Sequence, residues 1–159
     1  MRGYFLDSSA LAKLYHREPG SEFLERLLSQ QGLQAFISRL SLVEIESVLA
    51  IKVRTGELDS SGQTLARRRL RADISQARIR VGPPIEDSHY QTARRLVMSY
   101  GVEMGLRTLD AVQLAIALDL HSTGLISFIV AADVRLCRVA EDRGCSTINP
   151  AEPGVVIPA

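Results

Sequence analysis

Apolar residues along this chain occur in two patterns, as short continuous runs and as longer stretches with helical spacing. The short runs predict strands, and apolar residues that recur every three or four positions predict amphipathic helices. The predicted strands are Tyr4–Asp7, Gln34–Ser38, Ile79–Val81, Phe128–Ala131 and Ser146–Ile148. The predicted helices are Ser8–His16, Ser21–Gln30, Ser41–Arg54, Asp59–Ala77, Glu86–Met98, Thr108–His121 and Asp133–Arg143.

Short buried strands that alternate with helices are typical of a parallel sheet covered by helices on both faces. We therefore expect an α/β fold with three layers, α/β/α, and a small parallel central sheet. The chain shows no repeat, low-complexity tract or linker, so we expect a single domain over 1–159, with a helical portion between residues 41 and 77. In the third predicted helix, the apolar spacing predicts an inner face of Val43, Val48, Leu49 and Val53.

The composition narrows the class of protein without identifying a partner. The 159 residues are 46% hydrophobic and 23% charged, which is ordinary for a globular chain. The net charge of +1 gives no bulk basic signature for nucleic acid. Two cysteines outside any metal or disulfide pattern, no signal segment and no long apolar run lead us to expect a reducing cytoplasm and no membrane association.

Two predicted strands end in a carboxylate that is followed at once by a helix. Asp7 stands in "GYFLDSSALAKLY", and Asp133 stands in "FIVAADVRL". Each acid alone is explained as a helix N-cap. However, the carboxyl ends of parallel strands meet at one edge of the sheet, where ligands of open α/β sheets bind. We therefore expect Asp7 and Asp133 to lie close together.

Two more acids are candidates for the same edge. Asp110 lies in the first turn of the predicted helix "TLDAVQLAIALDLH", where the helix dipole alone would favour it. Glu44 lies in "RLSLVEIESVLA", where an exposed glutamate would be unremarkable by itself. Carboxylates within about 5 Å would repel by about 3 kcal/mol per pair. The sequence places no Lys or Arg beside each acid, so a divalent cation with oxygen ligands, Mg²⁺ or Mn²⁺, is the expected neutraliser.

Four stretches of the chain resemble a known family. In order, "YFLDSSALAKLY", "SRLSLVEIESVLA", "GLRTLDAVQLAIAL" and "VAADVRLCRVAEDRGCSTINP" resemble the four acidic motifs of the PIN domain, and especially those of VapC-type toxins from toxin–antitoxin pairs. The resemblance implies an endoribonuclease that depends on Mg²⁺ or Mn²⁺ and acts on RNA. It also implies a homodimer that is held silent by a small cognate antitoxin.

The resemblance assigns roles to individual residues. Ser8 stands where the family usually has a hydroxyl, which implies a hydrogen bond to a carboxylate or to metal-bound water. Gln113 replaces a common His, and Val134 replaces a polar residue after the last acid; neither is expected to touch the acids. The resemblance also implies an acidic quartet that catalyses cleavage and holds the metal, formed by Asp7, Glu44, Asp110 and Asp133.

An RNA substrate also requires positive charge around the acidic site. The segment "ARRRLRADISQARIR", residues 66–80, is the candidate, with Arg67, Arg71 and Arg78 expected on one side of a helix. Two alternatives remain open: a catalytically silent PIN-like binding module, and a housekeeping nuclease that processes RNA or DNA. A haloacid or receiver phosphotransferase is disfavoured, since Ser9 stands where the former needs an acid and no Lys lies near Asn149, where the latter needs one.

Overall fold

The computed structural model describes residues 2–158, whose strands form one parallel five-stranded sheet in the order β3-β2-β1-β4-β5. Helices cover both faces of the sheet, so the predicted α/β fold is confirmed. The strands are β1 (Arg2–Leu6), β2 (Leu33–Ile37), β3 (Ile79–Val81), β4 (Phe128–Val130) and β5 (Ser146–Ile148). The helices are α1 (Ser8–Leu11), which a 3₁₀ turn continues over Ala12–Leu14, α2 (Ser21–Leu28), α3 (Arg39–Arg54), α4 (Ser60–Ser75), α5 (Asp87–Met104), α6 (Thr108–Ser122) and α7 (Val134–Asp142).

The central strand β1 separates two hydrophobic cores. Tyr4 and Leu6 face a core shared with α1 to α4, and Phe5 faces the opposite core, which is built with α5, α6 and α7. This alternation follows from the pleat of a strand, in which successive side chains point to opposite faces. Because β1 is covered on both sides, its carboxyl end is buried, and Asp7 directly after it is only 5% exposed.

The order of the strands reverses at β1. The chain moves outward from β1 through β2 to β3, and β4 then pairs with β1 on its other side. Leu6 lies opposite Val130, and the backbone N–H of Asp7 donates to the Val130 carbonyl at 3.0 Å. Sheets of this kind bind ligands where the strand order reverses, outside the carboxyl ends of the strands. Asp7 and the segment that follows β4 therefore flank that reversal point.

Two helices differ from the sequence prediction in detail. Val43 was expected to be buried but is 66% exposed, while Ile45 and Leu49 form the inner face of α3. Val43 is apolar, but it lies two residues from Ile45 and therefore on the other side of the helix. The helix α5 continues to Met104 and ends at Gly105, whose φ of 66° provides the left-handed C-cap that glycine tolerates best.

Among residues 2–158, no helix combines the length and the apolar character needed to cross a membrane.

Gly3 lies where the segment that leads into β4 approaches β1 closely. A Cβ at Gly3 would lie 1.7 Å from the carbonyl oxygen of Leu125, in the segment that leads into β4. Gly3→Ala should therefore push that segment away and destabilise the fold by about 3 kcal/mol, measured by urea unfolding. The control is Gly101→Ala within α5, whose new Cβ would lie 3.3 Å from Cγ1 of Val97 and 3.8 Å from the carbonyl oxygen of Leu106, without a severe overlap. Equal stability of the two variants would contradict the proposed close approach.

Candidate functional site

Asp7 is a buried carboxylate at the end of the central strand. It is 5% exposed and caps α1, and its Oδ2 accepts hydrogen bonds from the Ser9 backbone N–H at 3.1 Å and from Ser9 Oγ at 2.7 Å. The pKa of Asp7 is raised to about 6, mainly by burial; the Ser9 hydrogen bonds lower it, and the nearby charges of Glu44 and Asp110 add a smaller increase. The hydrogen bonds of Asp7 therefore compensate only part of the solvation that its ionised carboxylate loses on burial.

Ser9 links the two strand ends that the sequence predicted to converge. Its hydroxyl donates to Asp7 and accepts the backbone N–H of Ala132 at 3.0 Å, immediately before Asp133. This bridge connects the β1–α1 turn to the β4–α7 turn. Sequence analysis did not predict this role for Ser9, although a serine two residues after a capping Asp is a known local hydrogen-bonding pattern.

Glu44 is held by a polar network between α3, α6 and the start of α1. Its Oε2 accepts hydrogen bonds from Ser8 Oγ and from Gln113 Nε2. The expected hydrogen bond of Ser8 to a carboxylate is therefore present. The expectation that Gln113 does not touch the acids is wrong, because α6 places the Gln113 amide directly against the Glu44 carboxylate.

Gln113 is the centre of this network. It is 1% exposed, and its Nε2 lies 3.1 Å from Ser8 Oγ and 3.0 Å from Ser41 Oγ. Ser38 Oγ in turn donates to Gln113 Oε1 at 2.7 Å. A buried amide requires such partners, since a buried polar group without hydrogen bonds is costly. The network therefore fixes the rotamer of Gln113 and, through it, the orientation of Glu44.

A single arginine joins the other two acids. Arg107 Nε donates to Asp110 Oδ2 at 2.9 Å, and Arg107 Nη2 lies 3.5 Å from Asp133 Oδ2. Asp133 also caps α7, since its Oδ1 accepts the backbone N–H groups of Arg135 at 2.8 Å and Leu136 at 3.2 Å. The hydrogen bond to Asp110 raises the pKa of Arg107 above its ordinary value, and the charges of Asp110, Asp133 and Asp7 add to this effect.

This contact corrects one expectation from the sequence. The acids were expected to have no basic residue beside them, yet Arg107 neutralises part of the charge on two of them. The spacing of Arg107 and Asp110, three residues apart at a helix start, could have indicated their pairing. The contact with Asp133 could not have been read from local spacing, because it depends on how α6 and α7 pack.

The four acids share one edge of the sheet but are not gathered around a single point. Asp7 interacts electrostatically with Glu44 and Asp110, whereas Asp133 is joined to Asp110 through Arg107. In the part of the chain that the structure describes, no three His, Cys, Asp or Glu side chains stand in a metal-binding arrangement. The edge is therefore acidic and partly neutralised by the exposed guanidinium of Arg107.

The chemistry of these side chains nevertheless fits a hard divalent cation. All four acids offer carboxylate oxygens, the donors that Mg²⁺ and Mn²⁺ prefer. The raised pKa of Asp7 shows that further positive charge would be stabilising at this point. The guanidinium of Arg107 already bridges two of the acids. These observations fit Asp7, Asp110 and Asp133 as the oxygen donors for such an ion.

The arginine-rich segment differs from its prediction. Arg67 pairs with Glu46, with Nη2 to Oε2 at 2.6 Å, and Arg78 pairs with Asp73 at 2.6 Å. Arg78 also lies beyond the end of α4, so it does not share a helical stripe with the other two predicted arginines. Of the three, Arg67 and Arg78 are thus engaged in surface ion pairs within the fold.

The chain belongs to the PIN domain family, since the model of the PIN domain matches residues 4–142. The fold is also found in solved structures of low sequence identity. VapBC2 from Rickettsia felis, bound to a DNA fragment from its promoter, is 14% identical, with a TM-score of 0.61 over 91% of this chain and 96% of that one. FitAB bound to the IR36 DNA fragment is 16% identical, with a TM-score of 0.62 over 94% and 96%.

A third similar structure is PAE2754 from Pyrobaculum aerophilum. It is 24% identical, with a TM-score of 0.53 over 92% of this chain and 83% of that one. No curated protein matches this chain. At these identities the similarity to solved structures supports the fold alone. The match to the family model shows that the chain is a member of the PIN domain family.

The raised pKa of Asp7 predicts a pH-dependent stability of the metal-free protein. The pKa of about 6 in the fold lies above the ordinary value of 3.8, so the contribution of Asp7 is most favourable below pH 3.8 and is lost as the pH rises through 6. The difference corresponds to about 3 kcal/mol. Asp7→Asn should therefore melt higher than the original protein at pH 7.5 in EDTA, and the gap should close by pH 4.

Asp59 provides the control for this measurement. It caps α4, and the hydrogen bond from the Gly62 N–H lowers the pKa of Asp59. Asp59→Asn should therefore give no increase in melting temperature at pH 7.5. If Asp7→Asn melts at or below the original protein at pH 7.5, the ionised Asp7 does not destabilise the fold.

The Gln113 network predicts the cost of removing a buried amide. Gln113→Leu keeps a similar volume but leaves Ser38, Ser41 and Glu44 without their shared partner. The free energy of unfolding should fall by about 1–3 kcal/mol, measured in urea at neutral pH. The control is Gln91→Leu on the exposed side of α5, which should change stability by less than about 0.5 kcal/mol. Similar losses in the two variants would show that the network does not stabilise the fold.

Proposed function

We propose that the protein is a metal-dependent endoribonuclease of the VapC type, the toxin of a type II toxin–antitoxin pair, acting in the cytoplasm. The observation that carries this proposal is the buried Asp7 at the reversal point of the sheet. Its ionised form is destabilised by burial and by two neighbouring acids, within a chain of the PIN domain family. A site of this kind favours the binding of a cation and a phosphate-bearing substrate.

The acids have distinct roles in the proposed reaction. Asp7, Asp110 and Asp133 would hold Mg²⁺ or Mn²⁺. When bound, such an ion would lower the pKa of a water molecule and offset negative charge on the phosphodiester. For Glu44, held in place by Ser8 and Gln113, the proposal leaves two roles: a further ligand, or the base that orients the attacking water and takes its proton.

The products follow from in-line attack of water on phosphorus. The bond that forms joins the water oxygen to phosphorus, and the bond that breaks joins phosphorus to the 3′ oxygen of the preceding nucleotide. That oxygen leaves with a proton, so the RNA ends are a 5′ phosphate and a 3′ hydroxyl. This route requires no covalent intermediate with the protein, and therefore no Ser, Cys or His nucleophile.

The proposed partners are RNA, a small cognate antitoxin and a second copy of the chain. The similar structures VapBC2 and FitAB are each bound to a DNA fragment. The helix α5 also exposes the apolar side chains of Tyr90, Met98 and Val102, the last being 96% exposed. Exposed apolar side chains on a helix favour contact with another protein.

Cleavage of RNA tests the proposal directly. Single-stranded RNA incubated with the purified protein should be cut in Mg²⁺ or Mn²⁺ and spared in EDTA. Asp7→Asn should lose at least about a hundredfold in rate, because it removes a charge from the ion-binding edge. Asp59→Asn, on the exposed start of α4, serves as the matched control and should cut at the original rate. The cut ends should carry 5′ phosphates.

Other outcomes would favour the alternatives. No cleavage in either ion would favour the catalytically silent binding module, which the Arg107 bridge between two acids also supports. Equal cleavage of DNA, or no toxicity on induction in cells, would favour a housekeeping nuclease. Full activity of Asp7→Asn would show that Asp7 is not part of the reactive site.

A further inference from the structure

Among the side chains of residues 3–158, Arg107 is the one basic group paired with any of the four acids. It caps the start of α6 in an extended conformation, with φ −93° and ψ 163°, and reaches across to the turn before α7. One guanidinium therefore bridges acids from two separate elements. Its charge also acts on Asp7 at the end of β1.

The bridge occupies the oxygens that a metal ion would need. The Oδ1 of Asp133 is already used by two backbone N–H groups of α7, which leaves Oδ2 as its free donor. Arg107 contacts that Oδ2 and also Oδ2 of Asp110. A guanidinium and a divalent cation both carry positive charge, so they repel one another at such a shared position. Bridging by Arg107 and shared metal binding by these acids are therefore alternatives.

The two sides of the bridge differ in their freedom to move. The Arg107 side chain is 66% exposed, whereas those of Asp110 and Asp133 are 19% and 20% exposed. Asp133 is further held by its capping bonds. Because a long exposed side chain reorients at little cost, the arginine is the member of the bridge that can leave.

We propose that Arg107 is a positioning residue that exchanges partners: it holds Asp110 and Asp133 together in the metal-free protein and releases them when a divalent cation binds. This inference rests on the proposed function, since it assumes that the acidic edge binds metal. After release, the guanidinium remains at the mouth of the site, where a phosphodiester is its natural bidentate partner. Arg107 thus weakens metal binding and strengthens RNA binding.

Direct measurement of Mn²⁺ binding tests the exchange without relying on activity. Free Mn²⁺ is followed by electron paramagnetic resonance as it is titrated into the purified protein. Arg107→Gln should bind Mn²⁺ about tenfold more tightly than the original protein, because the bridged conformation no longer reduces the competent population. In Ca²⁺, the same variant should bind single-stranded RNA more weakly and with a smaller dependence on salt.

Arg135→Gln is the matched control for charge. Arg135 is also exposed and lies two residues after Asp133, but only its backbone contacts that acid. Its replacement removes the same charge near the site without breaking the bridge, so the Mn²⁺ affinity should change less than threefold. A tightening equal to that of Arg107→Gln would mean a general charge effect and would overturn the exchange.

The outcomes separate this inference from the function on which it rests. If the original protein and Arg107→Gln bind Mn²⁺ equally well, the exchange is wrong while the metal site stands. If neither binds Mn²⁺, both the exchange and the metal-dependent function fail. Melting temperatures in EDTA verify that every variant is folded before titration, and a larger Mn²⁺-induced rise for Arg107→Gln would support the exchange independently.

Discussion

The structure around the sheet edge depends on one constraint, the burial of the Asp7 carboxylate at the end of the central strand. A strand covered on both faces carries its last residue into a region with little water, where an ionised group loses solvation. The Ser9 hydrogen bonds compensate only part of this loss, so the pKa of Asp7 remains raised to about 6. The other charged and polar groups of the edge lie on the two sides of this buried carboxylate.

The acids on the two sides of Asp7 are held by different kinds of partner. On one flank, Glu44 is fixed by neutral donors, the Ser8 hydroxyl and the Gln113 amide, which orient the carboxylate without cancelling its charge. On the other flank, Asp110 and Asp133 are paired through a full positive charge. A buried network of neutral groups is rigid only when every member has a partner, whereas an exposed ion pair is readily exchanged. The edge therefore has a rigid side and an adaptable side.

Much of this arrangement could be predicted from the sequence, because the relevant information is local. Strand and helix types follow from apolar spacing, and the approach of Asp7 to the β4–α7 turn follows from the parallel sheet. The roles of Gln113 and Arg107 could not be predicted in the same way, since Gln113 meets Ser8 across 105 positions and Arg107 meets Asp133 across 26. Such contacts depend on side-chain conformation in the packed protein. The buried face of α3 was misread for a related reason, as Val43 is apolar without facing a core.

The charges at the edge explain why a single arginine is compatible with an ion-binding site. With all four acids ionised, Arg107 leaves three negative charges uncompensated, and the buried Asp7 is the most affected of them. The single positive charge of Arg107 can hold two acids in place but cannot neutralise this excess negative charge. A divalent ion compensates more charge at the centre, and it also frees the guanidinium to face an anionic substrate. Arg107 can therefore hold the acids of the metal-free edge in place and also take part in the site once metal is bound. This is possible because its side chain lies at the exposed rim while the acids remain fixed.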